Sequence, residues 1–465
     1  FALIIKVFHF SDIANAVRLI NALIIFGVIA LMGQIGSGLS AFRNGRSVIM
    51  ILISCVGFIN NAYQLSPNIV VLFGFSLYFY ALQKSAHMPG ISAWLLSIGL
   101  IFISLNFTAQ FIVIALLILF ILPLLSKEWR TPEYLICAGG GLALFTLLFG
   151  SYVWQLNSVD HAFYLEWEGK YLSFISFNLA DYGQSALFLV ETLAWYLIPA
   201  WVLVIWTLYK RRSRIFQDKI LTLSLLSSGL LLLFAVLSGQ HDESVIFPII
   251  IPFVLLASVE IDSIKITIVS LLNWFCIFTF GLAGAFIATL YIALNFGRPH
   301  ELFIKAKYYA PNYAFQFNVW QLALAVLITF IWLFMITRKH IRGREMVTNW
   351  ASGSTFVLVM FISLCLPWFN AVLSFQDVVG SSLPHLKNTG SNCIATNQAN
   401  RVQNALWYYY ADVSLDPEVN FAQGRCNQAL ISIGAHEKVS IPGWKEVWSN
   451  KRPVDFRRYV LLERE

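Results

Sequence analysis

Long apolar runs separated by short polar connectors dominate the chain from residue 17 to residue 368. Most are close to the roughly 20 residues a helix needs to cross a bilayer. The pattern predicts spans at 17–35, 47–64, 68–83, 91–105, 108–125, 134–154, 186–208, 220–238, 245–260, 266–295, 317–337 and 348–368. A single helix over 91–125 would be about 52 Å long, too much for one span, so a tight hairpin near Asn106 is expected. Pro199, Pro248, Pro252 and the Gly139-Gly140-Gly141 run fall inside apolar stretches, as membrane helices tolerate. The ten-residue alternation of an outer-membrane barrel is absent, so the spans are read as helices.

Past residue 369 the apolar residues come in short runs instead. Ile394–Thr396, Gln428–Gly434 and Arg457–Leu462 read as strands and Arg401–Asp412 as a helix. The predicted organisation is a polytopic α-helical membrane domain of about 12 transmembrane helices (1–369) followed by a small α/β domain (370–465).

Composition agrees with a membrane class: 58% hydrophobic and 12% charged residues, with mean hydropathy +0.71, against about 25% charged in soluble domains. The net charge of +7 resides mostly in short clusters between apolar runs, which is membrane topology and not a nucleic-acid face. One set of alternate connectors holds Arg43, Arg46, Lys84, Lys127, Arg130, Lys210, Arg211, Arg212, Arg214, Lys219, Lys265, Arg338, Lys339, Arg342 and Arg344. The other holds only Lys170, Arg298, Lys305 and Lys307, so the first set is placed in the cytoplasm and both chain ends outside, as in a bacterial inner-membrane protein with a periplasmic C-terminus. The chain begins at Phe1 with neither Met nor a signal-peptide pattern; an earlier span preceding Phe1 is expected.

Cys55, Cys137, Cys276 and Cys365 fall in spans, whereas Cys393 and Cys426 lie outside the membrane, each just before a predicted strand. Paired in an oxidising compartment, those two would contribute roughly 3–4 kcal/mol in the chain-entropy model. Phosphate-binding, dinucleotide and zinc motifs are absent. Glu191 is the clear carboxylate within a span, thin support for an ion-coupled transporter.

Chemistry is therefore sought in the outer connectors. A site for a lipid-linked sugar needs a cation for phosphate, aromatics for stacking and a carboxylate base. Residues 155–185 offer Asp160, His161, Tyr164, Glu166, Trp167 and Glu168; residues 296–316 offer Arg298, Lys305, Lys307 and Tyr308. Taken singly, such residues are more often interfacial anchors than ligands. His241-Asp242-Glu243 is a candidate divalent-cation turn, with a solvated turn as the plainer alternative.

From about residue 11 onward the chain resembles bacterial GT-C glycosyltransferases, the aminoarabinose and protein mannosyl transferases, in particular a β-proteobacterial group. The resemblance rests on Ala16-Val17-Arg18-Leu19, Glu191–Trp206, Val245–Asp262, Trp274–Gly281 and Trp350–Phe369, and on a tail with Cys393, Cys426 and Trp444–Trp448. It implies transfer of a sugar from a polyprenyl-phosphate donor to a lipid or protein acceptor at the periplasmic face. The catalytic acid of that family would fall upstream of Phe1. Arg298, Lys305 and Lys307 would contact phosphate; Tyr164, Trp167 and Tyr308 would face sugar or lipid; His241 completes the candidate set.

Three positions depart from the pattern the chain resembles. Asn68 stands where an Asp is common, Phe102–Asn106 carries no lysine where one is common, and His241-Asp242 replaces a basic residue. Each removes a charge, which leaves a second expectation: a non-catalytic relative acting as accessory subunit beside a membrane-protein partner.

Overall fold

The structure, a computed structural model, describes residues 13–39, 42–64, 66–106, 108–173, 179–213, 215–311, 313–315, 317–338, 342–386, 394–397, 401–417, 426–434, 437 and 441–464. The chain packs as two compact units, Phe1–Gly281 with Ile331–Phe356, and Leu282–Phe330 with Val357–Glu465.

The first unit begins with α1 (Ile13–Ser37), α2 (Phe42–Ser54), α3 (Val56–Ala62), α4 (Pro67–Lys84), α5 (Pro89–Ser104) and α6 (Gln110–Leu125). It continues through α7 (Pro132–Val159), α8 (His161–Leu172), α9 (Leu179–Tyr196), α10 (Ala200–Arg211), α11 (Lys219–Leu237), α12 (Glu243–Ile246) and α13 (Ile250–Val259). Three helices, α14 (Ile266–Phe296), with α15 (His300–Tyr309) after it, then α16 (Val319–Thr337) and α17 (Arg342–Leu373), run from one unit into the other; α15 lies in the second. Local chemistry sets the starts. Ser66 and Thr131 cap α4 and α7 ahead of Pro67 and Pro132, and Asp218 Oδ1 accepts from the amides of Ile220 and Leu221.

By length and composition, α1, α7, α11, α14, α16 and α17 could each cross a membrane, and the count reaches eight if α2–α3 and α9–α10 are each one bent span. The runs expected at 47–64 and 186–208 are thus broken, by 70° at Cys55 and by 99° before Ala200. At the second break Pro199 has no N–H to continue the ladder. The run 91–125 folds as α5 and α6. The outer connectors expected at 155–185 and 296–316 are largely helical, holding α8 and α15.

Small residues permit the closest helix contact. A Cβ on Gly99 would lie 3.0 Å from the Gly74 carbonyl oxygen and 3.1 Å from the Tyr78 nitrogen. The α4 and α5 backbones therefore touch directly, a packing mode that compensates for the absent hydrophobic drive between helices in lipid. Elsewhere polar clasps serve: Asn349 Nδ2 donates to Asn273 Oδ1 at 2.6 Å and Trp350 Nε1 to the Leu272 carbonyl at 3.1 Å, holding α17 on α14. Just past α13, Glu260 binds Arg211, with Lys210 at 3.9 Å, while Arg344 grips Asp262 with two hydrogen bonds. Burial alone would raise the Glu260 pKa, but hydrogen bonds from Ser263 and Arg211 and the charges of Arg211 and Lys210 hold it below its ordinary value.

In the second unit, Trp368 Nε1 donates to the Ala306 carbonyl at 3.1 Å, fixing α15 on α17. After α18 (Gln376–Ser382) comes a five-stranded sheet of β1 (Ile394–Thr396), β2 (Leu415–Pro417), β3 (Gln428–Gly434), β4 (Trp444–Asn450) and β5 (Arg457–Arg464), ordered β2-β1-β3-β5-β4. β1 runs parallel to β2 and β3; β5 is antiparallel to β3 and β4. With α19 (Arg401–Ala411), Trp407 joins Val378, Val379, Leu430, Trp448 and Leu461 in one core. Cys426, Ala429, Ile431 and Val460 form the other. The expected partner of Cys426, Cys393, lies outside the described residues.

Replacing Gly99 by Ala should lower detergent-solubilised stability by about 1–3 kcal/mol, because the two nearest atoms belong to the backbone and cannot rotate away. Gly90→Ala on the same helix meets nothing within 4 Å and should leave the thermal midpoint unchanged. Glu260→Gln should cost about 1–2 kcal/mol near pH 7. Since the native pKa is depressed, that contribution is present above the ordinary 4.5 and is lost as pH falls through the lower folded-state value. Wild-type and variant melting temperatures should therefore converge in acid.

Candidate functional site

A cavity of about 750 Å³ opens at the end of the first unit that lacks the basic clusters. Its walls come from α3 and the turn into α4, from the α5–α6 connector, and from the stretch between α11 and α12. Seven neutral amides line it: Asn60, Asn61, Gln64, Asn68, Asn106, Gln110 and Gln240. His241, Asp242 and Glu243 supply its titratable groups, and no Lys or Arg is among the described lining residues. Asn68 and His241-Asp242, two of the three departures from the resembled pattern, line this cavity, as does Asn106 at the end of the third, Phe102–Asn106.

The polar groups are held in place. Asn60 Nδ2 donates to Glu243 Oε2 at 2.8 Å, and Tyr63 approaches the Asn60 oxygen at 3.5 Å. Asn61, nearly fully buried, donates to the Gly57 carbonyl and the Tyr196 hydroxyl oxygen at 3.0 and 2.9 Å. A Cβ on Gly57 would sit 2.3 Å from the Tyr196 ring, so a glycine is what lets that ring reach Asn61. Gln110 differs from the rest. It is 2% exposed, and its Nε2 has no hydrogen-bond partner among the described residues. A buried amide donor without an acceptor costs about 1–3 kcal/mol, which a ligand oxygen in the cavity would recover.

His241 is the predicted site residue that lines this cavity, edge-on to Phe188 at 5.9 Å. The divalent-cation turn does not form: among the described residues no group of three His, Cys, Asp or Glu side chains comes close enough to hold a metal. Asp242 caps α12 by accepting from Ser244 N at 3.2 Å, and Glu243 is turned to Asn60. Tyr164 and Trp167 stand on α8 in a ladder of rings with His161 and Tyr171, spaced 6.2, 6.2 and 4.7 Å. Tyr171 fastens the ladder to the α5–α6 connector, donating to the Ser104 carbonyl at 3.2 Å and accepting from Ala109 N at 2.8 Å. A hydrogen bond to Glu168 raises the Tyr164 pKa. Arg298, Lys305, Lys307 and Tyr308 belong to the second unit, at or just before α15, and all four are exposed. Lys307 Nζ stands 5.8 Å over the Phe303 ring.

The amides carry neither the charge nor the aromatic character that marks a candidate site in the sequence. Their signal was available, since Asn60-Asn61, Gln64, Asn68, Asn106, Gln110 and Gln240 all fall at ends of apolar runs on one side. Among solved structures, ArnT from Cupriavidus metallidurans bound to undecaprenyl phosphate is similar at TM-score 0.61 and 12% identity, covering 96% of this chain and 84% of that one. ArnT from the same organism in the apo state gives TM-score 0.58 at 12% identity, covering 96% and 83%. No family model and no curated protein matches the chain. At this identity the likeness shows a fold: GT-C-like, in a multi-pass membrane protein.

Replacing Gln110 by Leu should raise the melting temperature of the ligand-free protein by the equivalent of about 1 kcal/mol, by removing an unpaired buried donor of similar volume. A lower melting temperature would mean that the amide has a structural partner.

Proposed function

We propose that the chain is a membrane glycosyltransferase that moves a sugar from a polyprenyl-phosphate donor to a lipid or protein acceptor at the periplasmic face. The amide-lined cavity on a GT-C-like fold is the observation that carries this reading. Amides both donate and accept, as sugar hydroxyls do, and about 750 Å³ is ample for a monosaccharide. In this reading phosphate is met by Arg298, Lys305 and Lys307, aromatic contacts come from Tyr164, Trp167 and Tyr308, and His241 contacts the sugar. The bent pairs and the shorter apolar helices α4, α5, α6 and Glu243–Val259 each count as a span, which gives twelve. The α/β domain then lies in the periplasm with Cys393 and Cys426 paired; β1 and β3 run side by side from Ile394 and Gln428, which supports that pairing.

One observation favours a second reading, a non-catalytic accessory subunit: Asn68 and His241-Asp242 line the cavity where the resembled pattern carries an Asp and a basic residue, and Phe102–Asn106 has no lysine. Purified protein incubated with radiolabelled polyprenyl-phosphate sugars and a membrane extract separates the two. The enzyme reading expects label transfer that falls at least tenfold in Gln110→Leu and Glu243→Gln. Absence of transfer from every donor tried, by protein that melts cooperatively, favours the accessory subunit. Arg298→Ala, Lys305→Ala and Lys307→Ala should each weaken donor retention; unchanged retention in all three removes the phosphate assignment.

A further inference from the structure

A second cavity, about 430 Å³, opens at the opposite, basic end of the first unit. Its floor is apolar: Ile35, Phe79, Leu82 and Leu223 are each about 1% exposed. Its polar wall is built from the ends of α1 and α4, from Trp129 ahead of α7, and from the start of α11.

Two groups on that wall lack partners among the described residues. Trp129, 2% exposed, has an unpaired Nε1, and Gln83 has a buried, unpaired Oε1. The Gln83 amide orientation is fixed, because its Nε2 donates to the Ile35 carbonyl at 2.8 Å and only the nitrogen can do so. Gly38 makes room for it, since a Cβ there would lie 2.4 Å from that nitrogen. The Trp129 ring is held by Tyr134, packed edge-on at 5.5 Å, and carries the Lys219 ammonium 5.7 Å from its centroid. His87 and Asp218 complete the charged or titratable lining, and Asp218 Oδ1 is already engaged with two helix amides.

The indole and the ammonium can only donate, so they call for anionic oxygens. Gln83 Oε1 can only accept, so it calls for an O–H or N–H on the same ligand. We propose that this pocket holds the phosphodiester headgroup of a glycerophospholipid whose tip carries a hydrogen-bond donor, such as glycerol or ethanolamine. Phosphate oxygens meet Trp129 Nε1 and Lys219, the tip meets Gln83, and acyl carbons cover the apolar floor. A choline tip has no donor and leaves Gln83 unpaired. The site is independent of the outer cavity and of any transferase activity.

The test is native mass spectrometry and thermal melting of the full chain in detergent, supplemented in turn with phosphatidylglycerol, phosphatidylethanolamine, phosphatidylcholine or inorganic phosphate. Retention of the first two at least fivefold above phosphatidylcholine, with a matching rise in melting temperature, is the expected result. Trp129→Phe should cut that retention at least fivefold while keeping the ring packing. Gly38→Ala, which displaces the Gln83 amide without removing a polar group, should erase the preference over choline. Gln110→Leu in the outer cavity should leave retention unchanged. Equal retention of all three lipids, or undiminished retention in Trp129→Phe, overturns the proposal and leaves ordered water as the occupant. Equal protection by inorganic phosphate overturns the lipid as source and leaves a free anion.

Discussion

In a bilayer every backbone N–H and C=O must be satisfied within the protein, because lipid offers no alternative partner. That constraint sorts this chain. Unbroken helices carry little besides packing, and polar chemistry collects where helices end, bend or meet. The α2–α3 and α9–α10 bends adjoin the amide-lined cavity through Asn60, Asn61 and Tyr196, and both cavities are framed by helix termini. Ser66, Asp218 and Asp242 both cap helix starts and line these cavities, so the caps and the sites draw in part on the same residues.

The amide-lined cavity takes its character from uncharged polar groups. An aspartate or lysine in a half-buried recess needs a counter-charge or pays desolvation. Asparagine and glutamine need only hydrogen bonds, and here Asn60 finds one with Glu243 and Asn61 with Tyr196. Such a surface discriminates by the directions of donors and acceptors and not by the sign of a charge. Gln110 concentrates this behaviour, being the lining amide that is both deeply buried and unpaired at its nitrogen.

Much of the fold was legible because span length is a property of single segments. The runs around 134–154, 220–238, 266–295, 317–337 and 348–368 each became one helix, and the break near Asn106 followed from length alone. The bends were not legible: 47–64 reads as evenly apolar, and the close seat of Tyr196 on Gly57 joins segments 139 positions apart. In the tail, β4 escaped because the irregularity between Glu446 and Trp448 breaks the two-residue alternation that announces a strand. The site was read less well than the fold. Charged and aromatic residues signal from sequence, whereas an amide becomes informative once its partners, or their absence, are known.

The first unit is not continuous along the chain: it closes only when Ile331–Phe356 joins Phe1–Gly281. Asn273 and the Leu272 carbonyl wait for Asn349 and Trp350, with 76 residues separating the two asparagines. At about 5–20 residues per second, that segment takes roughly 4–15 s to synthesise. During that interval Asn273 Oδ1 lacks the amide donor that it accepts from in the folded unit. The helix contact that closes the first unit therefore forms seconds after α14 has been made.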